Sequence, residues 1–506
     1  MIQIKRIIVF LIVFVALLCL DVTEIKADGI SEDEINKIDE YVEQTLEKGN
    51  IPGLAISIVK GSETVYSKGY GYSDLKNRKE VSSSTLFELG SCSKSFTGVA
   101  IWKLVHEEKI DMDASVTDYI PWFAVEFEGG IEEITIRNLM DHTSGITPDL
   151  ISIIPPSQDD NALEQTIRNV TEYELYRKPG SRYMYSTVNY DVLGYIIETV
   201  SGKTYEDYMY EDVLKPLGLF DVVIGRENLL TNPEASLGYR CSFWGNAEYD
   251  APIYKGNTPA GYLCINADEA ADWMKIQLKT AELTDDWERI IEKSQKVDES
   301  LETVLIEPYD EPFRYTSGWM FFGSEPHSIS HGGNNPTFSS YIKLDTEKAI
   351  GISVMGNRNT DYVYEICRGI DAILNHDQPT AASTDFYVQL NLIFRIVMAV
   401  SLAVMIYVGV RLILLKKKIS KGIAIRSENN KRGRITLIIW LLLVVISGAF
   451  LYHIPNLFLW GYSWDFVTTW APGTMVASML FFYTAFCFVA IHRVLSALYI
   501  KTNNKR

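Results

Sequence analysis

The sequence predicts an α+β fold, in which an antiparallel sheet is flanked by terminal helices and carries a helical subdomain, followed by an all-α transmembrane segment. Three observations predict this architecture. Strand-like hairpins lie near both ends of residues 28–376, the stretch between them is mainly helical and loop-rich, and long apolar runs follow. We therefore expect one folded domain at 28–376, a linker at 377–392 and three membrane helices within 393–506.

The first 27 residues have the pattern of a secretory signal. Lys5 and Arg6 precede an apolar run at 7–20, and the small residue Ala27 follows a short polar stretch. A charged start, an apolar centre and a small residue at the cleavage point together indicate export. The pattern leaves open whether residues 1–27 are removed as a signal peptide or kept as an N-terminal anchor.

The elements of the domain follow from hydrophobic periodicity. Residues 32–49 have the pattern of an amphipathic helix that ends at a glycine. Alternating apolar residues on both sides of a turn predict a hairpin at 54–70 and a second hairpin at 338–355. A helix is expected at about 361–374. Because strands flank the long middle region and helices stand at both ends, the terminal helices should cover the sheet.

Three apolar stretches, at about 396–415, 435–452 and 472–491, approach the roughly 20 residues that a helix needs to cross a bilayer. The loop between the first two carries eight Lys or Arg residues against one acid, which predicts a cytoplasmic position. The loop between the second and third is rich in Trp and Tyr and has no Lys or Arg, which suits the outer interface. The domain should therefore lie outside the cell membrane, with the C-terminus inside.

The chain has 47 Lys and Arg against 65 Asp and Glu, a formal net charge of -18. Since both ends of the chain are basic, the exported domain is strongly acidic. An acidic surface repels phosphate backbones, so the composition argues against a nucleic-acid partner. Acidic solubility is the simpler interpretation of the same charge.

The cysteines and histidines form no recognisable metal or disulfide pattern, and we expect no metal and no cofactor. Four cysteines are scattered through the domain and should be free, mostly buried thiols: Cys92, Cys241, Cys264 and Cys367. A metallohydrolase is one alternative. His327 and His331 are its best ligand pair, but an extended chain would separate them by roughly 13 Å, too far to share one ion.

Ser91 and Lys94 are candidate catalytic residues, because a three-residue spacing on a helix stacks the lysine amine over the serine hydroxyl. A serine alcohol becomes a good nucleophile only when a neighbouring group takes its proton. Lysine can take that proton only as a free amine, which requires burial and cationic neighbours that lower its pKa. The pair therefore predicts a shielded pocket.

The surrounding sequence distinguishes this pair from a chance spacing. A strand-like segment at 87–89 and the turn residue Gly90 precede a helical pattern at 91–106. The serine then stands at a helix N-terminus, where unpaired backbone N–H groups favour developing negative charge, although an ordinary helix cap is the alternative. The same spacing at Ser73 and Lys76 lies in a polar stretch of turn formers, which we interpret as a solvated loop.

Two further motifs have chemical potential. Tyr185 lies just ahead of an apolar helix pattern at 192–197, and a phenol beside a lysine can share its proton and later protonate a leaving amine. A buried aromatic residue with a satisfied hydroxyl is the alternative. His331, Gly332 and Gly333 enter the last hairpin, where paired glycines let a substrate backbone approach an edge strand closely, and a simple turn is the alternative.

Together these motifs resemble those of the serine penicillin-binding proteins and class C β-lactamases. That family has Ser-x-x-Lys, Tyr-x-Asn and Lys/His-x-Gly in this order, and the chain has Ser91-Cys92-Ser93-Lys94, Tyr185-Ser186-Thr187 and His331-Gly332-Gly333. Further segments typical of the family lie at 134–146, 216–219, 260–263 and 318–319. The resemblance covers about residues 32–376 and implies a β-lactamase/transpeptidase-like fold.

The resemblance also implies the catalytic roles. Ser91 would be acylated, Lys94 would accept its proton, and Tyr185 would relay the proton to the leaving group. The backbone N–H groups of Ser91 and of Asn334, which directly follows the glycines, would form the oxyanion hole.

Substrate binding is implied for the remaining motif positions. His331 stands ahead of Gly332 and Gly333 where the family usually has lysine, and a neutral histidine would hold a substrate carboxylate less firmly. Thr187 replaces the asparagine of the second motif, which removes an amide and leaves one hydroxyl to position the substrate. His142, in a recognisable segment, is expected to be structural.

These observations predict a membrane-anchored, extracellular serine hydrolase that acts on D-alanyl groups of the cell wall, as D-Ala-D-Ala peptides or D-alanyl esters. A class C-type β-lactamase is the alternative within the same class, and β-lactams are expected ligands in either case. From a different class, a catalytically weak receptor or scaffold that binds wall fragments is motivated by Thr187. The presence of the other three side chains, Ser91, Lys94 and Tyr185, argues against the scaffold.

Overall fold

The structure is a computed structural model. It describes residues 29–297, 313–381, 385–426, 430–459 and 461–501. The N-terminal segment at 1–27, expected to be a signal peptide or anchor, lies outside the described residues.

The strands share one dominant sheet. In chain order they are β1 (Gly53–Lys60), β2 (Glu63–Asp74), β3 (Lys79–Glu80), β4 (Phe87–Glu88), β5 (Val125–Phe127), β6 (Gly130–Glu132), β7 (Val223–Ile224), β8 (Tyr239–Ser242), β9 (Gly245–Glu248), β10 (Leu263–Ile265), β11 (Phe313–Thr316), β12 (Trp319–Phe322), β13 (Ser328–Asn335), β14 (Phe338–Asp345), β15 (Ile350–Gly356), β16 (Ala424–Arg426) and β17 (Tyr499–Lys501). Eight of these described strands form an antiparallel sheet in the order β11-β12-β13-β14-β15-β1-β2-β3. A smaller sheet has the order β4-β10-β7.

The helices divide into a domain set and a membrane set. In chain order they are α1 (Glu32–Gly49), α2 (Ser93–His106), α3 (Val116–Tyr119), α4 (Ile136–Met140), α5 (Ala162–Val170), α6 (Val188–Ser201), α7 (Tyr205–Tyr208), α8 (Arg226–Leu229), α9 (Thr258–Gly261), α10 (Ala267–Gln277), α11 (Asp285–Ser294), α12 (Tyr362–Leu374), α13 (Phe386–Ser420), α14 (Lys431–Tyr452), α15 (Ile454–Phe458), α16 (Trp464–Trp470) and α17 (Thr474–Leu498). The predicted α+β architecture, with terminal helices α1 and α12 against the sheet, is confirmed.

Strand β1 shows why the sheet is covered on both faces. Successive side chains of a strand point to opposite faces, so Ile56 and Ile58 join one core while Ala55 and Val59 join the other. The first core lies against α1 and α12, and the second lies against α2, α6 and α10 of the helical subdomain. The sheet therefore separates the terminal helices from the side that carries the candidate catalytic residues.

Among the described residues, α13, α14 and α17 are long and apolar enough to span a membrane. The first of them begins earlier than expected, because the Asp385 side chain caps it by accepting the Val388 N–H at 2.8 Å. Residues 386–392, assigned to the linker from composition, are therefore helical. The same carboxylate accepts the Asp361 N–H at 2.8 Å, which joins the start of this helix to the domain.

Candidate active site

Ser91 lies between the end of β4 and the start of α2. The backbone turns there through a short 3-10 segment, Gly90–Cys92, that continues into α2, so the serine stands at the N-terminal end of the helix as predicted. Gly90 has φ +53, and a Cβ at this position would lie 2.5 Å from the Asn334 nitrogen. Glycine is therefore required for both the turn and the close approach of β13.

The Lys94 amine is fully buried and has three hydrogen-bond partners. It donates to Ser91 Oγ at 2.9 Å, to Thr187 Oγ1 at 3.1 Å and to the Ala260 carbonyl at 2.7 Å. An ammonium group can donate to all three oxygens at once. The free amine would keep two donors and direct its lone pair to the serine hydroxyl, so the same geometry serves both protonation states.

The environment of Lys94 favours the free amine. Burial lowers the pKa of Lys94 from 10.5 to about 7, while the charge of Asp191 opposes that shift. The three contact atoms of the amine are neutral oxygens, and none belongs to a carboxylate. A substantial fraction of Lys94 is therefore deprotonated near neutral pH, which is the condition that the sequence analysis placed on this residue.

Asp191 is a buried acid beneath the lysine that the motif search did not identify. It lies on α6, and the Asn257 amide group, oriented with its nitrogen toward Asp191, donates to the two carboxyl oxygens at 3.1 and 2.9 Å. The Ala260 N–H also donates to Asp191, and the Ala260 carbonyl accepts from Lys94. Burial raises the pKa of Asp191 well above its ordinary value, and the Lys94 charge acts in the opposite direction.

Tyr185 completes a polar triad at the serine. Its hydroxyl donates to Ser91 Oγ at 2.8 Å, and its ring centroid lies 5.2 Å from the Lys94 amine. The ring packs against His142 with centroids 4.3 Å apart. The structure thus brings together the three side chains that the sequence analysis assigned to catalysis.

His142 and Asn189 lie behind Tyr185. Asn189 donates to His142 Nδ1 at 2.9 Å and accepts from the Ser144 hydroxyl at 2.8 Å. Asn189 is therefore directed away from the lysine and does not replace the asparagine that is absent at Thr187. His142 is buried, and burial lowers its pKa well below the ordinary value, which fits a structural role as a support for the tyrosine ring.

His331 is buried and neutral. Its Nδ1–H donates to the Gly332 carbonyl at 2.6 Å, and its Nε2 accepts from the Tyr315 hydroxyl at 3.0 Å. Burial lowers the pKa of His331 to about 3, with a further contribution from the Lys94 charge. Because both ring nitrogens are engaged within the protein and the ring is uncharged, His331 offers no cation to a substrate carboxylate.

The glycine strand lies against the segment that carries the serine. A Cβ at Gly333 would lie 1.9 Å from the Leu89 carbonyl oxygen, so only glycine allows this approach. Gly332 is half-buried beside Tyr341, and Asn334 is exposed with its backbone next to Gly90. The Asn334 backbone nitrogen therefore lies close to the turn that carries Ser91, as the expected oxyanion hole requires.

The structure adds three contact residues that the sequence analysis missed: Asp191, Ala260 and Tyr315. Asp191 had a detectable signal, because it is an acid among the apolar residues of α6. Ala260 acts through a backbone carbonyl, which any residue has, and Tyr315 meets His331 only after folding. Among the described residues, no group of three His, Cys, Asp or Glu side chains is arranged to hold a metal ion, and His327 is exposed beside Glu347.

Comparisons with known proteins show which family the chain resembles in sequence and in fold. The profile of the Beta-lactamase family matches residues 38–368. Protein flp of Staphylococcus aureus (strain MW2) is 31% identical over 454 residues, which cover 88% of this chain and 87% of flp. An octameric penicillin-binding protein homologue from Pyrococcus abyssi superposes with a TM-score of 0.60 at 24% identity, covering 71% of this chain and 81% of the homologue. A class C beta-lactamase has a TM-score of 0.57 at 17% identity, covering 70% of this chain and 99% of that protein.

The two structural similarities concern the fold, and they confirm the expected β-lactamase/transpeptidase-like architecture. The family match spans more than half of the chain and includes Ser91, Lys94, Tyr185 and His331. The flp match is longer than the region matched by the family profile. The family profile matches most of the domain, the fold agrees, and the motif residues are assembled at one serine. This chain therefore belongs to the beta-lactamase family.

Proposed function

We propose that the chain is a membrane-anchored serine hydrolase that forms an acyl-enzyme through Ser91. The observation that carries the proposal is the position of Ser91 Oγ, which lies 2.9 Å from the Lys94 amine and 2.8 Å from the Tyr185 hydroxyl. A proton acceptor and a proton relay thus both contact the nucleophile. The lowered pKa of Lys94, about 7, makes the acceptor available near neutral pH.

The reaction follows from this geometry. Lys94, as a free amine, takes the Ser91 proton while Oγ forms a bond to the acyl carbonyl carbon. The carbonyl electron pair moves onto its oxygen, which faces the N–H groups of Ser91 and Asn334. Collapse of this intermediate breaks the bond to the leaving group, which receives a proton through Tyr185. Attack by water then releases the acyl group and restores the serine.

We further propose that D-alanyl esters are better substrates than D-Ala-D-Ala peptides. A D-Ala-D-Ala peptide and a β-lactam both carry a carboxylate that a cation normally holds, whereas His331 is neutral and engaged by Tyr315 and Gly332. Thr187 accepts from Lys94 and has no amide to position an acylamide chain. An ester of a polymer alcohol has no carboxylate on its leaving group, so it does not need the missing cation.

A β-lactamase of the class C type is the second candidate, because the same Ser91, Lys94 and Tyr185 contacts would open a β-lactam ring. Turnover distinguishes the two activities. Rapid hydrolysis of a chromogenic cephalosporin would favour the β-lactamase, whereas a persistent covalent adduct would favour the penicillin-binding-protein activity. Failure of Ser91 to react with any acyl donor would favour the wall-fragment receptor or scaffold.

The proposal places the catalytic domain on the extracellular side of the cell membrane. Its support is the distribution of charge around the three candidate spans. Residues 416–434, which comprise the end of α13, the loop and the start of α14, carry eight Lys or Arg residues, and the loop between α14 and α17 carries none. Positively charged loops are retained in the cytoplasm, so the opposite loop and the domain that precedes α13 would be outside.

The test is intact-mass analysis of the full-length protein in detergent after incubation with penicillin and, separately, with a D-alanyl ester. We expect the mass of one acyl group on the wild type and none on Ser91→Ala. The serine of the other Ser-x-x-Lys spacing, Ser73, is buried in β2 and does not lie in the solvated loop that its neighbours predict. Ser73→Ala is the matched control and should be acylated like the wild type. A wild type that stays unmodified and also releases no product from either compound, under conditions that label a control hydrolase, would overturn the proposal.

A further inference from the structure

The hairpin formed by β8 and β9 carries two adjacent aromatic residues at its tip, the half-buried Phe243 and the exposed Trp244. Trp244 is 89% exposed, and Phe243 meets it edge-on with ring centroids 4.6 Å apart. Tryptophan is rarely left so open on a folded domain, because its ring has a large apolar area. A single exposed aromatic is unremarkable by itself, so the position of the hairpin decides its meaning.

The hairpin contacts the outer end of the first candidate span. Asn391, on α13, donates to the Ser242 carbonyl at 3.0 Å, and the Arg395 guanidinium lies 5.6 Å from the centre of the Phe243 ring. Asn391 and Arg395 are four residues apart and therefore lie on the same face of the helix. Since the apolar stretch of α13 starts at about residue 396, the tip of the hairpin is level with the point where the span begins.

Contacts with the third candidate span place the tip of the hairpin at the same height independently. The Gly473 N–H donates to the Cys241 carbonyl at 2.9 Å, and Arg240 donates to the Thr468 carbonyl at 3.2 Å. Thr474, which directly follows Gly473, begins α17 and donates to the Asn391 side chain at 2.6 Å. Two spans therefore meet the hairpin at their outer ends, and both place its tip at the boundary of the apolar layer.

The other end of the hairpin is attached to the main sheet. The Tyr239 N–H donates to the Asn357 carbonyl at 2.9 Å, directly after β15. The hairpin thus connects the sheet that carries the catalytic strand to the outer ends of two spans. Residues 240–247 contain one cation, Arg240, and no acid, so no carboxylate would lose water if this segment met lipid.

We propose that the β8–β9 hairpin is a membrane-contact surface, in which Phe243 and Trp244 lie among the phospholipid headgroups and the uppermost acyl carbons of the outer leaflet. Tryptophan is favoured at this depth because its ring is apolar and its N–H can reach water. The contact holds the catalytic domain at a defined height above the bilayer. The inference rests on the proposed membrane topology and goes beyond it, since anchoring by the helices alone does not require the domain to touch lipid.

The test uses full-length protein with single added cysteines, labelled with a nitrobenzoxadiazole fluorophore and reconstituted in phosphatidylcholine vesicles. The vesicles contain a lipid with a nitroxide at acyl carbon 5, which quenches fluorophores at shallow depth. The labelled positions are Trp244→Cys at the tip, Val400→Cys inside the first span, and Ser62→Cys in the exposed turn between β1 and β2. The unsubstituted protein measures the labelling of native cysteines, of which Cys92, Cys241, Cys264 and Cys367 are buried.

Ser62 is the matched negative control, because it follows the end of β1 that points away from the first span. The opposite end of β1 pairs with the end of β15, beside Asn357 and the first span. We expect loss of fluorescence at positions 244 and 400 and no loss at position 62. Quenching at 400 with no quenching at 244 would overturn the membrane contact and leave the anchoring intact. No quenching at 400 would overturn the proposed topology, and the inference with it. Reaction of each variant at Ser91 with a fluorophosphonate shows that the domain is folded.

Discussion

Two buried cations of the domain differ in their partners, and the difference distinguishes a proposed catalytic residue from a structural one. Lys94 is 0% exposed and meets the neutral oxygens of Ser91, Thr187 and Ala260, and its pKa falls to about 7. Arg226 is 4% exposed and forms an ion pair with the buried Glu88. Burial opposes its charge, but Glu88 raises the pKa of Arg226 above its ordinary value. A buried lysine without a contacting carboxylate can release its proton, whereas a buried arginine stays charged and needs a partner such as Glu88.

The paired cation supports the site from behind. Glu88 precedes the serine turn by two residues, and it also accepts from the Asn335 side chain at 2.7 Å. Asn335 ends the glycine strand β13 and donates to the Gly261 carbonyl at 2.9 Å. The network around Arg226 therefore joins β4, which precedes Ser91, to the glycine strand β13. It supports the spacing between these strands, while Lys94 contacts the proposed nucleophile directly.

Replacing Lys94 with methionine should have the largest effect. Methionine keeps an apolar chain in the buried space but cannot accept a proton, so we expect acylation of Ser91 to slow by about 10²–10⁴-fold, the usual contribution of a general base. The thermal unfolding temperature should change little, because the loss of the hydrogen bonds to Thr187 and Ala260 is offset by the removal of a group that is costly to bury when charged. The rate is measured by a time course of intact mass with a fluorophosphonate. The control is Lys76→Met, at the exposed lysine of the other Ser-x-x-Lys spacing, and equal rates in both variants would contradict the assignment.

Replacing Arg226 with methionine should affect stability instead. The change leaves Glu88 buried and unpaired, which typically costs about 3–5 kcal/mol in the free energy of unfolding. We expect a lower thermal unfolding temperature of the full-length protein in detergent, and partial recovery in the double variant Arg226→Met, Glu88→Gln. Arg168→Met breaks an exposed pair with Glu164 and should cost at most about 1 kcal/mol. A similar loss in both arginine variants would show that the buried pair has no special weight.

Thr187→Asn should strengthen reaction with β-lactams. The variant restores the amide of the family motif, and one hydrogen bond of this kind is worth roughly 1–3 kcal/mol in transition-state binding. We expect faster acylation of Ser91 by penicillin, with a smaller change for a D-alanyl ester that lacks the acylamide chain. The measurement is the acylation rate constant for each compound. Equal acceleration of both would indicate that Thr187 acts through Lys94 and not through the substrate.

The contrast between the two cations also shows what the sequence could predict. The proposed catalytic residues Ser91, Lys94 and Tyr185 were identifiable because each contributes its own side chain at a characteristic position in a motif. The partners that set the pKa of Lys94 were not, since Ala260 uses a backbone carbonyl and Asp191 comes close only through folding. Local spacing therefore predicts which side chains come together, and tertiary packing decides the pKa of Lys94.

The fold likewise has elements that could be predicted from the sequence and elements that could not. The hairpins at 54–70 and 338–355 were predicted because apolar residues alternate along them, and they form the centre of the sheet. Strand β12 lay in the region expected to be mainly helical, because it reads Trp-Met-Phe-Phe and has no alternation to recognise. The first membrane helix begins at residue 386, ahead of its apolar stretch, because Asp385 caps it there.

Asp191→Asn tests whether a nearby carboxylate controls the pKa of Lys94. The change removes the carboxylate whose charge opposes the release of the Lys94 proton. Acylation requires the free amine, so the wild-type rate should rise as the pH increases through about 7. In the variant the pKa of Lys94 should be lower still, and the profile should shift to more acidic pH. Asn257 can rotate its amide to accept from the new side chain, so the packing should persist. The measurement is the rate of fluorophosphonate labelling against pH, and an unchanged profile would mean that Asp191 carries no charge in the folded protein.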